Sequence, residues 1–199
     1  LWGTNKMSKK RRVIIITQNE PLYLYENIER LFNECDPKVS FVKFFILPSK
    51  EFGRNLSKKK LYVKAVTTFG IFFAVNYFFR LCLRKISRKS NIVYLLRKNA
   101  VEYEIVSGNI NSVENVSKIK ATNADVCVSI LGSQIFKKHL IKVLPIFMNL
   151  HSSLLPIHRG MLPSFWSMIR KDREVGVSLF QVDEGIDSGP IIMQKRVLN

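Results

Sequence analysis

Two periods of hydrophobicity organise the chain. Residues 13–17 (VIIIT) form a short β-branched run, and within residues 21–33 Leu24, Ile28, Leu31 and Phe32 recur at helical spacing. The pattern predicts a strand, a loop at Gln18, Asn19 and Glu20, and then a helix. Residues 41–47 (FVKFFIL) end at Pro48 and predict a second buried strand. Strand, helix and strand in that order imply a parallel pair joined by a right-handed crossover.

Residues 65–79 (AVTTFGIFFAVNYFF) are the most apolar stretch, bracketed by Lys64 and Arg80. With Gly70, Asn76 and two threonines they fall short of the roughly 20 apolar residues a bilayer-spanning helix needs, so a buried core helix is expected. The lesser alternative lays this helix on an anionic membrane surface, with Arg80, Arg84 and Lys85 at headgroup level. Next come a predicted helix over 91–98, a strand over 103–106 and a helix over 112–120. Residues 124–131 (ADVCVSIL) predict a third buried strand, followed by a polar loop at Gly132, Ser133 and Gln134 and a helix over 137–142. Ile146–His151 (IFMNLH) reads as a strand that turns polar at its end, and residues 175–182 and 191–198 as two more strands around the loop 183–190. This alternation predicts a single α/β domain over 1–199, an open and mostly parallel sheet with helices on both faces. Residues 1–6, ahead of Met7, read as a cloning remnant, and the domain is expected to lack its C-terminal end.

Composition adds a partner. A hydrophobic share of 47% with 14 Phe fills a real core, which excludes global disorder. The 32 Lys and Arg against 15 Asp and Glu leave a net charge of +17, unevenly spread. Residues 1–100 hold 21 basic and 6 acidic side chains, residues 101–199 hold 11 and 9, and residues 54–98 hold twelve basic and no acidic ones. Such a block attracts anions: nucleic acid, an acidic lipid surface or a phosphorylated small molecule. Cys35, Cys82 and Cys127 have no metal-ligand spacing, and only a few apolar residues follow the basic start before Gln18. Scattered thiols and no signal peptide point to a reducing compartment, the cytoplasm, and no metal is expected.

Candidate chemistry gathers in the nearly neutral half. Asn149 and His151 are two apart at the end of a strand, so they share a face, and ligands of open α/β sheets bind at the carboxyl ends of strands. An amide there can donate to a developing oxyanion while an imidazole moves a proton. Downstream, the loop DEGIDSGP offers Asp183, Glu184 and Asp187, and on charge alone any of the three could orient the histidine. Ser152 and Ser153 make no convincing nucleophile with His151, which favours direct transfer or hydrolysis over a covalent intermediate.

The run Asn149-Leu150-His151-Ser152-Ser153-Leu154-Leu155-Pro156, with Arg159-Gly160 after it and Asp187-Ser188-Gly189-Pro190 downstream, resembles the formyltransferase family that uses formyl-tetrahydrofolate. That family includes glycinamide ribonucleotide, methionyl-tRNA and nucleotide-sugar N-formyltransferases, and the match runs from about residue 124 to 197. TQNEP at residues 17–21 resembles the nucleotide-sugar branch. The resemblance implies a Rossmann-like formyltransferase fold and puts Asn149, His151 and Asp187 on the family's catalytic triad. It implies that the donor's pterin meets main-chain groups of two loops, here Leu131, Ser133, Gln134 and Ile135, and Asp183, Glu184, Gly185 and Ile186. Asn19, Glu20 and Arg159 fall on the acceptor side. His158 departs from the family, which commonly has tyrosine before Arg-Gly.

The resemblance thus implies formyl transfer from formyl-tetrahydrofolate to the amine of a small phosphorylated acceptor, foremost a nucleotide-linked amino sugar. A tRNA-directed transferase and a formyl-tetrahydrofolate hydrolase use the same three residues. A basic module that binds nucleic acid or a membrane surface through residues 54–98 is the non-enzymatic alternative, and nothing there resembles a base-reading motif.

Overall fold

Parallel pairing of apolar strands builds most of the sheet. The computed structural model describes residues 10–48, 63, 66–67, 70–89 and 91–198; the expectation for residues 1–6 and, of the basic block, residues 54–62, 64–65, 68–69 and 90 lie outside them. Strands β1 (Arg11–Gln18), β2 (Val39–Leu47), β3 (Glu102–Ile105), β4 (Val126–Ile130) and β5 (Ile146–His151) run parallel in the order β3-β2-β1-β4-β5. Strands β6 (Glu174–Gln181) and β7 (Ile191–Leu198) extend the β5 edge antiparallel, for seven strands in all among the described residues.

Side-chain alternation along β1 splits the core in two. Val13 and Ile15 pack with Phe44 and Ile46 against α1 (Leu24–Glu34) and α3 (Ile92–Lys98), through Leu24, Ile28, Leu95 and Leu96. Ile14 and Ile16 pack on the other face with Phe45, Cys127 and Phe147 against α4 (Val113–Ala121) and α5 (Lys138–Ile141), through Ile119 and Leu140. Helices therefore cover both faces, as expected. Asn91 caps α3 by accepting from Val93 N, and Ser112 caps α4 by accepting from Asn115 N.

The apolar stretch behaves differently from its expectation. Residues 71–79 of it lie in α2 (Ile71–Ile86), and of that helix only Ala74 is buried. Phe72 is 91% exposed, and Ile71, Val75, Phe78, Phe79 and Ile86 also face outward. The two cores are filled by α1, α3, α4 and α5, and no α2 side chain joins either of them. Among the described residues no helix is long and apolar enough to cross a membrane. Helix α6 (Pro163–Arg170), which the pattern reading did not predict, starts with proline at its first turn, where a missing N–H costs nothing.

Candidate functional site

One register row crosses the sheet through Phe45, Ile16, Ser129, Asn149 and Phe180. Residues in a row share a face, so Asn149 projects on the α4 and α5 side, as does Phe147 beneath it and His151 beyond it. Both polar residues thus stand where the apolar core gives way to the carboxyl edge of the sheet. Among the described residues the Asn149 amide has no hydrogen-bond partner and remains available to a ligand.

His151 is held from two sides. Its Nε2 lies 2.9 Å from the His158 carbonyl oxygen, and because a carbonyl only accepts, Nε2 carries the proton. Nδ1 is left facing Asp187 Oδ2 at 3.5 Å, with the two side chains only 8% and 15% exposed. The same carboxylate oxygen accepts from Gly160 N at 2.8 Å, so Asp187 joins the loop after β5 to the histidine. Of the three acidic residues in its loop, Asp187 alone reaches the imidazole. Asp183 accepts from Gly185 N and Ser188 Oγ and closes its own turn, while Glu184 pairs with Lys138 of α5 at 2.7 Å. Gly189 is required there, since a Cβ would collide with the Gln181 carbonyl oxygen.

The segment between His151 and α6 is braced by groups the pattern reading missed. Ser178, opposite His151 in register, donates through Oγ to Ser153 O at 2.7 Å and accepts from Leu155 N at 3.0 Å. Gln194 Nε2 adds bonds to Leu155 O and Ser178 Oγ, and Ser153 Oγ donates to Ile157 O at 2.8 Å. His158 turns its own nearly buried ring to Asp172, which holds that carboxyl below its ordinary value. The signals were Ser178 between Val177 and Leu179, and Gln194 directly after Ile191, Ile192 and Met193. Ser129 Oγ, buried next to Asn149 in the row, has no partner among the described residues.

The other predicted residues fall at the same edge with different employment. Gln134 bonds Ile110 N and Gly108 O, Ser133 Oγ donates to Pro48 O at 3.4 Å, and Ile135 O accepts from Asn111. These bonds pin the loop 131–135 while leaving Leu131 and Ile135 exposed, and Ile186 is exposed on the facing loop. Arg159 is exposed and makes no ion pair among the described residues. Asn19 Oδ1 accepts from Ile92 N at 3.1 Å, and Glu20 accepts from Leu22, Tyr23 and Leu24 N. Both therefore use side-chain oxygens to hold helix starts. Among the described residues no three His, Cys, Asp or Glu side chains converge as metal ligands do.

The profile of the formyl transferase family matches residues 80–198, more than half of the chain. A methionyl-tRNA formyltransferase of Prochlorococcus marinus is 41% identical over 83 residues, which cover 41% of this chain and 24% of that protein. The chain spans about a quarter of the length of the curated relatives it matches. Among solved structures, a phosphoribosylglycinamide formyltransferase from Anaplasma phagocytophilum superposes with a TM-score of 0.65 at 16% identity, covering 96% of this chain and 74% of that one. A sugar N-formyltransferase from a Shewanella species gives a TM-score of 0.54 at 21% identity over 94% and 57%. At such identities the structural likeness speaks to the fold.

Proposed function

This chain belongs to the formyl transferase family, and from that premise we propose that it moves a formyl group from formyl-tetrahydrofolate to the amine of a nucleotide-linked amino sugar. The observation that carries the reading is the approach of His151 Nδ1 to Asp187 Oδ2 beside an unengaged Asn149 amide at the carboxyl edge of the sheet. The residues present suit the donor. Exposed Leu131, Ile135 and Ile186 offer apolar contact to a flat ring from two loops whose own side chains are tied down. The donor brings the activated formyl carbon.

The chain's own residues supply the rest. Asn149 donates to the formyl oxygen as the amine attacks and that oxygen gains charge. His151 stands beside it with Nδ1 turned to Asp187, and the bond from Nε2 to the His158 carbonyl oxygen holds the ring in place. The proton lost by the amine passes through the His151 and Asp187 pair to the folate nitrogen as its bond to the formyl carbon breaks. TQNEP at residues 17–21 supports the sugar branch. Release of formylated amine from formyl-tetrahydrofolate and a panel of amino-sugar nucleotides tests the reading. His151→Ala is expected to lower turnover about 10²- to 10⁴-fold, and wild-type turnover in that variant would refute it.

A tRNA-borne amine is the second reading, favoured by the 41% identity to a methionyl-tRNA formyltransferase and by the basic first half. Formate release without any amine would instead identify a hydrolase. Contact of residues 54–98 with an anionic surface is compatible with each, supported by the outward apolar side chains of α2 beside Arg80, Arg84 and Lys85.

A further inference from the structure

A helix N-terminus at the end of a first strand is a natural place for an anion, and here it is already filled. The Glu20 carboxylate accepts from Leu22 N at 2.8 Å, Tyr23 N at 2.6 Å and Leu24 N at 3.1 Å. It thereby takes the amides and the positive end of α1 that an outside oxyanion would use. The cationic groups lie instead across a cleft of about 510 Å³ between the start of α1 and the C-terminal half of α2, whose polar lining is Tyr23, Glu26, Arg80, Arg84, Ser87 and Lys89. Three cations face one carboxylate there. Arg84 is anchored on one side only: Nη2 bonds Glu26 Oε2 at 2.9 Å, while Nη1 is buried with no partner among the described residues. A guanidinium edge shielded from water and left without an acceptor calls for a bound oxyanion. The cleft has the volume of a small-ligand site.

We infer that this cleft is a phosphate or diphosphate site, with Arg84 Nη1 as its central donor and Arg80 and Lys89 as flanking charges. Its role as the acceptor's anchor rests on the formyl-transfer reading. Helix α1, one wall of the cleft, packs on the sheet face of Val13 and Ile15, while Asn149 and His151 project on the other, so the acceptor passes over the carboxyl edge of the sheet.

Calorimetric titration of the full chain with inorganic pyrophosphate tests the site. The wild type is expected to bind, and Arg84→Gln to weaken binding about tenfold or more, the cost of one charge-assisted donor. Arg80→Gln and Lys89→Gln should each weaken it several-fold, and Lys98→Gln, the same charge change outside the cleft, should leave it within about twofold. Thermal melts of each variant separate lost binding from lost folding, and Lys89→Gln, beyond the end of α2, keeps the test sound if Arg84→Gln unfolds. No pyrophosphate binding, or equal losses in Arg84→Gln and Lys98→Gln, would overturn the inference. So would binding only to phosphatidylglycerol vesicles, which would assign the cleft to a lipid headgroup. Kinetics then divides the claims. Pyrophosphate binding through Arg84 with no amine formylated leaves the cleft standing and removes the formyl-transfer reading. Formyl transfer with an unchanged acceptor KM in Arg84→Gln does the reverse.

Discussion

Asp187 shows what a single residue does at this edge. It adopts a left-handed backbone, φ 48°, and divides one carboxylate oxygen between Gly160 N and His151. Charge alone left Asp183, Glu184 and Asp187 equivalent, because spacing along a loop does not say which side chain turns inward. The turn closed by Asp183 and the pairing of Glu184 with Lys138 decide it. Asn149 and His151 were legible in the pattern since strand alternation fixes a shared face; the partner of His151 Nε2, a carbonyl seven residues on, carries no side-chain signature at all. Asparagine tolerates a left-handed backbone and its oxygen still accepts from Gly160, so Asp187→Asn isolates the charge. It is expected to lower kcat by about 10² to 10⁴ with the acceptor KM within about threefold and the melting temperature little changed. A large rise in KM with kcat intact would make Asp187 a binding residue.

At the scale of elements, strands and their covering helices were readable because each carries one apolar stripe of the right period, and α2 was misread for an instructive reason. Hydrophobicity of a segment reports its preference for burial, whereas burial also needs a partner surface, and no α2 side chain joins either core. Polar links between elements leave even less trace. Glu104 on β3 receives Lys43 from β2 at 3.0 Å and Lys118 from α4 at 2.7 Å, and Lys118 also bonds Glu114. Burial alone would raise the Glu104 carboxyl, but the hydrogen bonds from Lys118 and Lys43 bring it below its ordinary 4.5, while Lys118 is pushed up to about 12 by Glu104 and Glu114. A depressed carboxyl contributes stability that is complete above 4.5 and is lost as the pH falls through its folded value. Glu104→Gln should therefore melt about 3 °C below wild type at pH 7, for a contribution of about 1 kcal/mol, with the gap closing in acid. A gap that persists unchanged at pH 3 would assign the effect to packing.

For the molecule as a whole, charge and chemistry occupy different halves: residues 1–100 carry 21 of the 32 basic side chains and 6 of the 15 acidic ones, while Asn149, His151 and Asp187 all lie beyond them. That separation makes salt a probe of the acceptor. A tRNA held through many phosphates releases a counterion for nearly each, so six to ten contacts cost about 10³ to 10⁵ in affinity between 50 and 200 mM salt. An acceptor with one diphosphate, held by Arg84 and its neighbours in a partly shielded cleft, meets ordinary screening over a Debye length that shrinks from about 14 to about 7 Å across the same range. The acceptor KM is then expected to rise only about threefold to tenfold between 50 and 200 mM salt, and kcat, set in the nearly neutral half, to stay within about twofold. Measured with the same donor concentration throughout, a loss of three orders of magnitude or more in kcat/KM would transfer the acceptor from a nucleotide-linked sugar to a polyanion, and residues 54–98 would become its track.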